Sequence, residues 1–138
     1  MTDLVKVAAL FDGRPRRAAE VDALFGRPVE EVETLRIYRS TDPRIDGIEV
    51  HHLEADANGL IRLSFVQLSA VAGKIPAGEL VRLFGPLKRL PAIPDGPAHV
   101  VRFYFPNEKH ATTVVGAYLS GPVNDPDSYA TSLTIRPD

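Results

Sequence analysis

No cysteine occurs in the 138 residues of this chain. That absence excludes disulfides, thiol catalysis and thiolate zinc sites together, and it leaves the fold to packing alone. Long apolar runs are missing as well. No segment approaches the roughly 18 residues that a membrane-spanning helix needs, so no span is expected. The opening MTDLVKVAALFDGRPRR places Asp3 ahead of its apolar residues and Lys6 among them, unlike the apolar core of a secretory signal; a cytoplasmic protein is expected. Neither sign of charge is in excess: the formal charge is -2, with 25% charged and 44% hydrophobic residues. Such a composition fits a soluble globular chain of one domain and argues against disorder, nucleic-acid binding or a membrane-surface role.

Catalytic templates are also lacking. There is no Gly-x-Ser-x-Gly elbow, no Gly-x-Gly-x-x-Gly and no His-Glu-x-x-His. Gly73-Lys74 has the look of a phosphate-loop ending, but Ile75 stands where a hydroxyl is needed. No cofactor is expected.

What is present is a repeated helix ending. AEVDALFGRP at Ala19–Pro28 and GELVRLFGPL at Gly78–Leu87 both close an apolar stripe with Leu-Phe-Gly. The glycine offers the left-handed conformation that ends a helix, and proline follows. A short helix over Asp3–Asp12, capped by Thr2 or Asp3, precedes the first. Leu68–Ala72 followed by Gly73 matches Ala8–Asp12 followed by Gly13, as a first helix of a second unit. Period-two alternation then gives strands: TLRIYRS, a hairpin in IEVHHLEADANGLIRLSFVQL turning at Asn58-Gly59, and later HVVRFYFP, ATTVVGAYL and ATSLTIRP. Between them GPLKRLPAIPDGP, with Pro86, Pro91, Pro94 and Pro97, reads as an extended connection, and SGPVNDPDS at Ser120–Ser128 as a polar loop. Gly26 and Gly85 are 59 positions apart, and Arg36-Ile37-Tyr38 and Arg102-Phe103-Tyr104 are 66 apart. The expected fold is α+β: tandem ααβββ units, at about 1–66 and 67–138 of a single domain, with an antiparallel sheet and helices on one face.

The helix ending carried by Val21, Leu24, Phe25, Gly26 and Pro28, and again by Leu80, Leu83, Phe84, Gly85 and Pro86, followed by antiparallel strands, resembles the repeat unit of β-lactamase-inhibitor-protein-like domains. The resemblance implies tandem units whose sheet presents a face to a protein partner. Unlike the secreted inhibitors, this chain has no cysteine.

Among polar residues, His51, His52, Glu54 and Asp56 cluster in HHLEAD, but adjacent strand residues point to opposite faces. At most two ligands would share a face, short of the three of a catalytic zinc site, so no metal is expected. The loop residues Asn124, Asp125 and Asp127 read as a turn, Arg14–Arg17 as a solvated basic run, and His99 and His110 as solvated or core-satisfied imidazoles. With Ile37, Phe103 and Phe105 turned to the core, Arg36, Tyr38, Arg102 and Tyr104 face outward as one strip. Arg62, Ser64, Thr134 and Arg136 extend it along neighbouring strands. Arg and Tyr are enriched at the energetic centres of protein interfaces. The sequence therefore favours a non-enzymatic protein-binding module, such as an inhibitor or toxin-immunity protein, whose arginines suit an acidic partner surface; self-association into a homodimer is a further expectation. The competing expectation is a small-molecule-binding protein or atypical enzyme using His51 or His52 on the same face.

Overall fold

A computed structural model describes residues 2–85, 88–89 and 99–138. Helix α1 spans Leu4–Ala9, α2 Ala18–Phe25 and α3 Ala77–Phe84; strands β1 to β4 span Pro28–Val32, Leu35–Tyr38, Ile45–His52 and Leu63–Ala70. Strands β5 to β8 span Lys88–Arg89, Val100–Phe105, Thr113–Leu119 and Ala130–Pro137. All eight strands join one antiparallel sheet in the order β1-β2-β3-β4-β8-β7-β6-β5. The two runs of four strands thus meet at β4 and β8, each with its own helix ahead of it.

Local chemistry explains the helix bounds. Asp3 accepts the free amides of Val5 and Lys6 at 3.1 and 3.2 Å, opening α1. Helices α2 and α3 start from extended Arg17 and Pro76 and stop at Gly26 (φ 92°) and Gly85 (φ 80°), a region in which a Cβ would be strained. Just ahead of each helix an isolated bridge ties the chain to the sheet, Arg16 to Ile61 before β4 and Pro76 to Tyr129 before β8.

The three helices cover one face. Phe25 of α2 packs its ring on Tyr38 of β2 (5.3 Å), Phe84 of α3 packs on Phe103 of β6 (5.7 Å), and Thr113 of β7 donates to the Ala8 carbonyl of α1 (2.8 Å). Register places Tyr38, Ile48, Leu68, Leu133, Ala117 and Val101 in one row across that face. All are buried, in a core that is continuous across both halves.

Several expectations change. Leu68–Ala70, read as the start of a helix, ends strand β4, because its Leu68 takes a core position beside Leu133. Pro28–Val32, read as the chain beyond a helix stop, forms edge strand β1, where the missing proline amide costs no ladder bond. The β3–β4 hairpin forms, but its turn is wider than two residues. Gly59 donates to the Asp56 carbonyl (3.0 Å) and the Asp56 amide to the Leu60 carbonyl (2.9 Å), so Ala57-Asn58 is the turn and Gly59 (φ 75°) the following bulge. The proline-rich connection with Pro86, Pro91, Pro94 and Pro97 falls, apart from Lys88–Arg89, outside the described residues.

Candidate functional site

The face of the sheet away from the three helices carries mostly half-exposed side chains, with Val114 buried among them. Register assigns its residues in rows. One row runs Glu30, Ile37, Glu49, Gln67, Thr134, Gly116, Arg102 from β1 to β6. Beside it lie Val32, Leu35, His51 and Phe65 on one side of the sheet centre, and Arg136, Val114 and Tyr104 on the other. Ser69, Ser132, Tyr118 and Val100 follow. Most of these are half-exposed, and Tyr118 is 40% exposed.

The strip expected from sequence divides between the two faces. Arg102, Tyr104, Thr134 and Arg136 stand on the open face, where Arg102 makes no ion pair among the described residues and Arg136 donates only to the Pro137 carbonyl (3.3 Å). Arg36 and Tyr38 do not join them. Tyr38 is 1% exposed and lies on the helix side. The alternation in β2 is the reverse of the expected one, since Ile37 shares a row with Glu49 and Arg102 on the open face. A one-residue change of register exchanges every side chain between faces. Arg62 is exposed at the foot of β4 and donates to the Gly13 carbonyl (3.0 Å), and Ser64 sits at the irregularity where the pairing shifts from His51–Phe65 to His52–Leu63.

What draws Arg36 and Tyr38 inward is Asp22, whose role went unread in the sequence. The Arg36 guanidinium donates to both Asp22 carboxylate oxygens at 2.9 Å, to Glu31 at 3.1 Å and to the Tyr38 hydroxyl at 3.1 Å. The Tyr38 hydroxyl donates to Asp22 at 2.5 Å. Burial first, and then the bond to Asp22, push the Tyr38 phenol up to about 12 against the opposing pull of Arg36. For Arg36 burial works against the charge, but its bonds to Tyr38 and Asp22 outweigh it and raise its pKa. The group is a strut between α2 and β2 in which Asp22, Arg36 and Tyr38 each bond to the other two.

A second buried group was equally silent. The Asp42 carboxylate accepts from the Thr2 amide (2.7 Å), the Arg44 amide (2.9 Å) and the Arg44 guanidinium (3.0 Å), and Arg44 reaches on to Glu79 of α3 (2.9 Å). Burial would raise the Asp42 pKa, yet these bonds prevail and hold it at about 2. Asp-Pro-Arg in a loop reads as a turn signal, and only the folded chain brings Thr2 and Glu79 to it.

The histidines fall on opposite faces. His51 stacks on Phe65 (4.1 Å between ring centres) with Glu49 at 3.4 Å, on the open face. His52 is buried, its Nδ1 donating to the Leu53 carbonyl at 2.7 Å. Neither histidine lines the cavity of about 550 Å³ beside Phe84 and Tyr104, nor the one of about 250 Å³ between Phe11, Leu53 and Arg62. Among the described residues no three metal-ligating side chains converge, and no helix is long and apolar enough to cross a membrane. Compared with models of protein families, with curated proteins and with solved structures, the chain matches none of them.

Proposed function

We propose that this chain is a protein-binding module that docks its partner on the open face of the sheet, with Arg102, Tyr104, Thr134, Arg136 and Tyr118 as its contacts. One observation carries the reading: an eight-stranded sheet has all three described helices on one side and, on the other, half-exposed arginines and tyrosines. A sheet face that only met water could be fully polar. Here Phe65, Leu35, Ile37 and Tyr118 add apolar and aromatic area to the arginines, the mixture typical of interface centres. The resemblance to β-lactamase-inhibitor-like units agrees with docking through a sheet.

The scaffold is a duplication. Support comes from the twin helix endings at Gly26 and Gly85, the strand order that runs inward from both edges, and the twin bridges ahead of α2 and α3. Its unit is one helix and four strands, with α1 added at the start. The aromatic pairs Phe25–Tyr38 and Phe84–Phe103 set the correspondence, matching Tyr38 to Phe103 rather than to Tyr104.

Affinity capture from the source cell's lysate with wild type beside an Arg102→Ala/Tyr104→Ala/Arg136→Ala variant tests the function. A partner retained by wild type should bind the variant about 10- to 100-fold more weakly, as the loss of interface-centre side chains implies. An Arg62→Ala control should retain it. A partner indifferent to the open-face variant, with both proteins melting alike, overturns the reading.

A further inference from the structure

Charge is not spread evenly over the open face. Glu30 and Glu49 stand on β1 and β3, and Arg102 and Arg136 on β6 and β8, so the first half of the face is acidic and the second basic. Glu30, Glu49 and Arg102 also share one cross-strand row, with the β4–β8 junction at its centre.

We infer that the occupant of this face is a second copy of the chain, stacked face to face about a two-fold axis parallel to the strands. The inference rests on the open face being a protein-binding surface and names its partner. Such an axis carries each strand of one half over its counterpart from the other half: β2 over β6, β3 over β7 and β4 over β8. Arg102 of one copy then lies over Ile37 of the other, with Glu30 and Glu49 one strand to either side, about 4.8 Å away along the sheet. Gly116, without a side chain, lies over Glu49 and leaves it room to lean toward that arginine. In the adjacent row Tyr104 falls over Leu35, and Arg136 over Phe65, where a guanidinium can lie on the ring. Every contact occurs twice, as a closed two-fold interface requires. Sheet twist turns the two strand directions by about 30° without changing which halves meet.

The same charges reject other arrangements. A two-fold axis across the strands would set arginine over arginine and glutamate over glutamate. Pairing through the edge strand β1 would bring Glu30 and Glu31 against their own copies.

Sedimentation equilibrium from micromolar to submillimolar protein tests this with two variants, Arg102→Glu/Arg136→Glu and Glu30→Arg/Glu49→Arg, each checked for fold by circular dichroism. Wild type should dimerise, and each variant alone should dissociate about 100-fold more readily, since reversal sets like charges together. Mixed one to one, the two variants should recover a heterodimer within about tenfold of the wild-type constant, because the all-acidic and all-basic faces then complement each other. A wild type that stays monomeric overturns the self-pairing but not the protein-binding reading, which the capture experiment decides separately. A dimer insensitive to both variants, or variants that fail to recover on mixing, overturns it as well.

Discussion

The corner where α2 meets β2 and the corner where α3 meets β6 solve one packing problem in two ways. In both, a phenylalanine just before the terminal glycine packs on an aromatic residue of the strand, with nearly equal separation and tilt. Around that contact the first corner uses Asp22, Arg36 and the Tyr38 hydroxyl, whereas the corresponding positions of the second hold Val81, Val101 and Phe103. The loops after these strands differ likewise. Asp42 is a buried carboxylate with four bonds from Thr2 and Arg44, while Asn107, at the matching place after β6, is exposed and among the described residues accepts only the His110 amide. An apolar contact tolerates neighbours of any polarity, provided that each polar group brought inside finds all its partners.

The largest effect is expected at the apolar corner. Phe103→Ala should cost about 4 kcal/mol, the loss of a fully buried ring plus the cavity left behind, read from chemical denaturation. A loss below about 1 kcal/mol would mean that α3 collapses onto the sheet without strain.

Next comes the buried carboxylate. Asp42→Asn should cost about 3 kcal/mol, because Arg44 loses a charged partner inside the protein. The folded Asp42 pKa, about 2, lies below its ordinary value. Its stabilisation is therefore complete above about pH 4 and is lost as pH falls through about 2. Wild type should weaken over that interval by about 2 kcal/mol more than Asp42→Asn does. Parallel pH profiles would assign acid sensitivity elsewhere.

The smallest effect tests the polar corner itself. Asp22→Ala should cost about 2 kcal/mol, tempered because Asp22 is partly in water and Glu31 still faces Arg36. Converting the corner to its counterpart with Asp22→Val/Arg36→Val/Tyr38→Phe should instead change stability by less than about 1 kcal/mol, because the charges leave together. If the triple variant proves as weak as Asp22→Ala, the two corners are not interchangeable solutions.

Much of this architecture was legible because it rests on local signals. Leu-Phe-Gly ends both α2 and α3, Asn58-Gly59 marks a turn, and the alternation through Val101, Phe103 and Phe105 turns Arg102 and Tyr104 outward. The same alternation misled in β2. Leu35 and Ile37 look like the core face, yet the open face takes them, and Arg36 and Tyr38 go inside. Nothing near position 36 in the sequence announces Asp22, fourteen residues earlier, as the group that makes their burial affordable. Leu68–Ala72 misled for another reason: a short apolar run fits a strand or a helix equally well, and its place between β3 and β8 decides. Of the residues expected to form one Arg/Tyr strip, Arg102, Tyr104, Thr134 and Arg136 consequently share the open face, whereas Arg36 and Tyr38 are held on the helix side by Asp22.

The sequence by itself determined the class of fold, the stops of α2 and α3 at their glycines and the presence of most strands, since periodicity and glycine chemistry act within a few residues. Tertiary structure alone decided which side of β2 faces the core, that Asp42 is bonded to Thr2 and Arg44, and that acidic and basic residues far apart in the chain share one row of the open face. Those outcomes depend on register and on charge pairs closed across long stretches of chain, and a polar side chain is stable inside only where the folded neighbours replace its water.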